Sequence, residues 1–223
     1  MSHDPARPHA PPEDLIDALA LSPDMAALAR QSGLRRFRKG VLLIQEGDVS
    51  DTVYLLLSGQ VKVYAAAANG REITFGLHGP GALVGEMSLD GGPRSASAVT
   101  TEPTLAGVVT RAMLLEHMRL HPEFALEMLM TVIARARSAT RDARDLALVD
   151  SYGRLSRLFE TMARPADNGQ CCIEGRLTHS EIASRIGCSR EMVSRLLKDL
   201  ERGGYIAQGP QQLTLLRPLP ARW

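Results

Sequence analysis

The chain has 223 residues and 24.2 kDa, enough for one or two compact domains. Its 44% apolar and 23% charged residues are those of a globular protein and exclude collagen, a coiled-coil rod and a wholly disordered chain. Basic and acidic residues nearly cancel, 26 against 25, so overall charge does not announce a nucleic-acid partner.

Other whole-chain features narrow the class. No run approaches the roughly 18 apolar residues of a membrane helix, and no apolar h-region follows the N-terminus. Three cysteines, Cys171, Cys172 and Cys188, are too few for a disulfide framework. The expected setting is the cytoplasm, with no membrane partner. Charge is unevenly distributed: residues 135–164 carry seven basic against four acidic residues, and residues 176–202 six against four. Acids collect elsewhere, as at Glu13, Asp14 and Asp17. Positive potential therefore gathers in the C-terminal half.

In chain order, Pro5, Pro8, Pro11 and Pro12 make the start an extended leader, followed by a short amphipathic helix. Ser22-Pro23-Asp24 predicts the start of a second helix, with Ser22 as cap and proline in the first turn. From Phe37 to about Val109 the pattern becomes short apolar runs: Val41–Ile44, Val53–Leu57, Val61–Tyr64 and Thr104–Val109. Glycine-bearing breaks separate them. Asn69-Gly70 is a strong hairpin signal, because both residues tolerate positive φ. Many short strands at this spacing predict a β sandwich, roll or barrel.

From about Arg111 the period is helical. Leu126, Leu129, Ile133, Ala136, Thr140, Ala143 and Ala147 recur at steps of three and four. Such a seam either pairs with a second helix or is buried against its own domain. A further helix is expected around Arg154–Met162, a turn at 165–169, two more helices, and a hairpin formed by 203–206 and 213–216. The fold class is thus α+β, divided as a leader with short helix (1–24), a β roll (25–125), a long helix (126–150) and a small helical domain with a β wing (151–223).

The stretch from Leu177 to Ile206 is the most informative. Thr178 with Glu181 three residues on is a capping-box pattern, Gly187 breaks the helix, and Ser189 can cap the next. At about 100° per residue, the second helix gathers Val193, Leu196, Leu197 and Leu200 on one side. Arg190, Glu191, Ser194, Arg195 and Lys198 fall on the other. A solvated charged face is the plain reading of such a helix. The paired helix, the glycine turn and small Ala183 favour a helix-turn-helix. Arginine can bond guanine bidentately and glutamate can accept from cytosine N4, so Arg190, Glu191 and Arg195 are candidate base readers.

These segments, Leu177-Thr178-His179-Ser180-Glu181-Ile182-Ala183 and Gly187-Cys188-Ser189-Arg190-Glu191-Met192-Val193-Ser194-Arg195, closely resemble the helix-turn-helix of the cyclic-AMP receptor/fumarate-nitrate regulator (Crp/Fnr) family of bacterial transcription factors. The resemblance implies a homodimer on double-stranded DNA with TGTGA-like half-sites, and RNA polymerase as a partner. It assigns base reading to Arg190, Glu191 and Arg195 and phosphate contacts to Thr178 and Ser189, with Lys198 helping. It makes the β roll cyclic-nucleotide-binding-like, the long helix the dimerisation element and the last domain a winged helix-turn-helix.

The resemblance extends over nearly the whole chain beyond the leader. Gly79-Pro80-Gly81, Gly85-Glu86-Met87-Ser88-Leu89 and Pro93-Arg94-Ser95-Ala96-Ser97 look like the family's phosphate-binding cassette. Read chemically, a short helix opening near Glu86 offers backbone N–H groups to an anion. Arg94 supplies a cation, Ser95 a hydroxyl donor, and Glu86 an acceptor for a ribose hydroxyl. Alternatively the glycines only turn strands and Arg94 pairs with Glu86 or Asp90. The implied effector site is Gly85, Glu86, Met87, Arg94, Ser95 and Thr140, with cyclic AMP or a related cyclic nucleotide as effector and no other cofactor. A regulator acting without a nucleotide is the alternative.

Two departures stand out. Eight positions from Glu86 to Arg94 make a tight loop, shorter than in typical nucleotide-binding members. Alignment on Leu146 and Asp150 puts Ala139 and Thr140 where the cyclic-AMP receptor has two hydroxyl residues. The leader lacks the cysteines of iron–sulfur members. His117 and His121 have a zinc-like i, i+4 spacing without a third ligand, so no metal site is expected. No Walker loop, nucleophile elbow or metal triad suggests an enzyme.

Overall fold

The computed structural model describes residues 13–165, 170–175 and 177–221. The leader prolines and most of the expected 165–169 turn lie outside these. Two compact units result: one holds the chain to Ala65 and Phe75–Arg135, the other Ala66–Thr74 and the chain from Ala136.

In the first unit, α1 spans Glu13–Ala18 and α2 Pro23–Gln31. Ser22 caps α2 as expected, accepting from the Met25 N–H at 3.2 Å. Eight strands follow, in this unit except for Ala66 and residues 72–74: β1 Gly33–Phe37, β2 Leu42–Ile44, β3 Thr52–Ser58, β4 Val61–Ala66, β5 Glu72–His78, β6 Leu83–Val84, β7 Ser97–Thr100 and β8 Thr104–Thr110. They form two four-stranded sheets, ordered β1-β8-β3-β6 and β2-β7-β4-β5. Period-two alternation explains how one strand serves two cores. Val53, Leu55 and Leu57 of β3 face a core with Ile16, Leu28, Leu114 and Phe124, while Leu56 turns to Ile44, Val61 and Ala98.

Gly107 of β8 is required by proximity. A Cβ there would lie 2.2 Å from Ser32 Oγ. The Asn69-Gly70 hairpin forms, but not as its φ argument supposed. Gly70 has φ +77°, whereas no described non-glycine residue has positive φ. Asn69 acts through its side chain instead, Oδ1 accepting from the Arg71 N–H at 3.1 Å.

Helix α3, Arg111–Leu120, is capped by Thr110, and α4 runs from Pro122 to Leu148. Phe124 and Met128 of α4 are buried in the first unit. Along the expected seam, Leu126 and Leu129 are 54% and 53% exposed, as is the neighbouring Met130 at 59%. Burial against its own domain therefore accounts for only one side of the start of α4.

The His117 ring is 1% exposed. Its Nε2 lies 3.0 Å from the Asp24 carbonyl oxygen, and its ring stacks on His121 at 4.4 Å. The His121 Nδ1 reaches Asp24 Oδ1 at 3.0 Å. His117 Nδ1 has no hydrogen-bond partner among the described residues. Burial first, then the neighbouring His121, holds the His117 pKa below its ordinary value. The folded state thus favours neutral His117, while the unfolded chain takes up the proton more readily. That contribution to stability is complete above the ordinary value of about 6.5 and is lost as pH falls toward the lower folded value. The thermal stability of this unit should fall on acidification below about pH 6.5. The dependence should flatten in His117→Leu; an identical pH slope in that variant would refute the assignment.

The second unit contains α5 Ser151–Met162, β9 Arg164–Pro165, β10 Cys171–Glu174, α6 His179–Ile186, α7 Arg190–Arg202, β11 Ile206–Gln208 and β12 Gln212–Leu215. The expected wing hairpin is part of a four-stranded sheet, β11-β12-β10-β9. Alternation on β10 exposes Cys171 and buries Cys172. Leu155 and Phe159 of α5, Ile182 and Ile186 of α6, and Val193, Leu197 and Leu200 of α7 build its core with Ile173, Ile206 and Leu213.

Candidate functional site

Two side-chain groups carry the chemistry, one in each unit. In the second unit, α6 begins with a complete capping box. Thr178 Oγ1 accepts from the Glu181 N–H at 3.2 Å, and Glu181 Oε2 accepts from the Thr178 N–H at 2.7 Å. Gly187 ends α6 in the left-handed region at φ +64°, a conformation that favours glycine. Ser189 then caps α7, its Oγ accepting from the Met192 N–H at 3.2 Å. Both hydroxyls proposed for phosphates thus hold helix starts, where backbone N–H groups and the helix dipole favour an anion.

The wheel drawn from the sequence matches α7. Val193, Leu196, Leu197 and Leu200 are buried, and Arg190, Glu191, Ser194, Arg195 and Lys198 are all exposed. The Glu191 carboxyl is held below its usual range by its own backbone N–H, then by the Ser189 hydroxyl, with Arg190 adding to the effect. Glu191 is therefore a carboxylate at neutral pH, an acceptor for a base amino group. Two arginines, one carboxylate and one lysine stand on a single face of a helix anchored by leucines, with Arg190 and Glu191 in its first turn.

In the first unit, β6 leads through Gly85, at φ +95°, into a 3-10 turn at Glu86–Ser88. A Cβ on Gly85 would lie 2.8 Å from Arg94 Nη1 and 2.9 Å from Ile44 Cδ1. Arg94 is 5% exposed and points inward. Its Nη1 donates to the Gly85 carbonyl at 2.7 Å and to Ser88 Oγ at 2.6 Å, and its Nη2 donates to the Thr52 carbonyl. Desolvation lowers the Arg94 pKa, opposed by Tyr54, Asp51, Glu86 and Asp48. Arg94 thus ties the turn to β3.

Glu86 is also buried, and its partner is Arg135 of α4. Arg135 Nη1 donates to Glu86 Oε1, and Nη2 donates to the Leu83 carbonyl at 2.7 Å. His78, half-buried nearby, has its pKa lowered by burial and then by Arg135. Ser95 and Met87 are exposed, the Ser95 hydroxyl 3.7 Å from the Met87 sulfur. Thr140 belongs to the other unit, exposed on α4, its hydroxyl donating to the Ala136 carbonyl at 3.0 Å.

Gly85, Glu86, Met87, Arg94 and Ser95 are therefore gathered around one turn. The reading of the residues offered Glu86 or Asp90 as partner for Arg94. The hydrogen bonds of Arg94 go to Gly85, Ser88 and Thr52 instead. Sequence reasoning counted Arg135 only as one of the basic residues of 135–164. Its bond to Glu86 joins residues 49 positions apart, which no local pattern signals.

Comparisons with known proteins bear on the fold and the family. The family model of a cyclic nucleotide-binding domain matches residues 34–121, and that of a Crp-like helix-turn-helix domain matches residues 153–218. The chain is 32% identical to a CRP-like cAMP-activated global transcriptional regulator of Mycobacterium tuberculosis, over 82% of this chain and 83% of that one. It is 33% identical to a cyclic AMP receptor protein of Thermus thermophilus, covering 85% and 87%. Among solved structures, the c-di-GMP responsive global regulator CLP of Xanthomonas campestris aligns with TM-score 0.75 at 26% identity, covering 86% of this chain and 96% of that chain. Among the described residues no helix is long and apolar enough to cross a membrane.

Proposed function

From the premise that this chain belongs to the Crp/Fnr family of transcription regulators, with a cyclic nucleotide-binding domain and a Crp-like helix-turn-helix, we propose that it acts as an effector-gated homodimer on palindromic DNA. The observation that carries this reading is α7, which exposes Arg190, Glu191 and Arg195 together while its leucines anchor it. Entering the major groove by its first turns, such a helix presents these groups to base edges. Thr178 and Ser189, at two helix starts, and Lys198 hold phosphates. The exposed leucines of α4 supply the dimer seam. Pairing there sets two α7 helices for half-sites about 34 Å apart. RNA polymerase is the downstream partner, and the cytoplasm the place of action.

The cassette takes the cyclic nucleotide. Ser95 and backbone groups near Gly85 and Met87 meet the phosphate, with the Arg94 cation fixed behind them. Glu86 accepts from a ribose hydroxyl and exchanges Arg135 for it. Thr140, on the seam of the long helix, serves the base of the ligand held by the partner subunit. A ligand shifts the equilibrium between two conformations only by its preference for one of them.

A second reading, a regulator that needs no nucleotide, draws support from the same residues. Arg94 donates to three protein acceptors and Glu86 is paired with Arg135. Selection of duplexes from a random pool by the purified protein should recover inverted TGTGA-like half-sites. A pool with no enriched sequence would refute DNA reading by α7. Calorimetric titration with cyclic mono- and dinucleotides separates the two forms: a saturable heat with tighter operator binding supports gating, and unchanged operator affinity supports the second reading.

A further inference from the structure

The Arg154 guanidinium lies where three helix ends meet in the second unit. Helix α4 ends at Leu148, and Val149 follows, its N–H donating to the Asp145 carbonyl at 3.0 Å. Asp150 caps α5, accepting from the Gly153 N–H at 2.7 Å. Helix α6 ends at Ile186, immediately before the three-residue turn that starts α7. Arg154, in the first turn of α5, touches all three. Its Nε donates to the Ile186 carbonyl at 2.7 Å, its Nη1 to the Val149 carbonyl, and its Nη2 lies 3.5 Å from Ser151 Oγ.

Carbonyls at helix C-termini lack intrahelical partners and carry partial negative charge. A cation between two such ends is favoured, and the planar fork of arginine serves two acceptors at fixed angles. The segment is also held closely: a Cβ on Gly153 would lie 2.7 Å from Val149 Cγ1. A separate ion pair, Arg157 with Asp145, joins α5 to the last turn of α4 on the surface. Of these two arginines, Arg154 also bonds α6, where Leu146 of α4 lies close to Gly187.

We propose that Arg154 is a positioning residue for the recognition helix. It bonds the chain just past α4 to the last carbonyl of α6, so the Gly187–Ser189 turn, and the direction of α7, follow the end of the long helix. The consequence for DNA rests on the reading of α7 given above. The bridge itself does not.

Two measurements on the full chain test it. In protein without DNA, amide hydrogen exchange is compared for wild type, Arg154→Met and Arg154→Lys. Arg154→Met should speed exchange at both Val149–Gly153 and Gly187–Ser189, with the unfolding temperature of the unit's core retained. Arg154→Lys, keeping charge but not the fork, should fall between. Faster exchange in one segment only, or in neither, overturns the proposal. Should Arg154→Met not fold, the intermediate exchange expected of Arg154→Lys in both segments decides.

The second measurement is binding to an operator selected by wild type and to a random duplex, over a range of salt. Arg154→Met should weaken operator binding at least about tenfold, the worth of one aligned bidentate base contact. Random-duplex affinity and the salt slope should stay at wild-type values. A parallel loss on both duplexes with a shallower slope makes Arg154 a phosphate contact and overturns the positioning role. Failure of wild type to prefer any operator would count against α7 as reader, while the exchange experiment still decides the bridge.

Discussion

Arg94→Ala should destabilise the first unit by about 1–3 kcal/mol, the cost of a buried group left without its partner. The side chain is 5% exposed, and its loss takes a donor from the Gly85 and Thr52 carbonyls and the Ser88 hydroxyl; Ser88 Oγ still donates to the Gly85 carbonyl at 3.1 Å, so the Thr52 carbonyl loses most. Buried arginines persist only where such acceptors satisfy them. Arg94→Lys should recover only part of the loss, since an ammonium cannot span the same acceptors in a plane. Urea or thermal unfolding, followed by a probe in each unit, measures it. The first unit's transition should move down while the second unit's stays. A variant as stable as wild type would mean that the inward hydrogen bonds are not what holds the turn. This measurement needs no nucleotide, so it separates Arg94 as a structural tie from Arg94 as a phosphate anchor.

The largest functional effect is expected at Arg195. Arg195→Ala should weaken operator binding by about 1–3 kcal/mol, relax preference at one base pair per half-site and leave the salt dependence unchanged. Arg195 is exposed on α7, and truncating an exposed side chain away from caps and core changes stability by no more than about 0.5 kcal/mol. Competition binding with single-base operator variants gives the result directly. Equal loss on every sequence, with the salt slope reduced by about one, would make Arg195 a phosphate contact.

These residues differ in how far the sequence disclosed them. The α7 face was legible because helical period and burial are the same information: Val193, Leu196, Leu197 and Leu200 had to turn one way. Thr178, Gly187 and Ser189 were legible because capping is local. Strands β2, β3, β4 and β8 announced themselves as apolar runs between glycines. Strand β1 did not: only Leu34 of its five residues is buried, with Arg35 and Arg36 exposed on an edge strand. β6 is two residues long and β9 contains a proline, so neither has a period to read. The inward turn of Arg94 was illegible for a different reason. A charged side chain is expected in water, and only the assembled sheet brings Thr52, 42 positions away, to meet it. Arg135 with Glu86 and Arg154 with Ile186 share that property: each bond depends on which elements become neighbours, and composition does not encode that.

Gly187, Cys188 and Ser189 are all that separate α6 from α7. One residue inserted within α7 ahead of Arg195 would rotate everything after it by about 100° and advance it by about 1.5 Å. Arg195 would then face the leucines, and a leucine would face outward. The tip of the wing, Gly209–Gln211, joins two strands and sets no such phase. Descendants of this gene can therefore vary in length at the wing tip, whereas from 187 to 195 they are confined to exchanging one side chain for another.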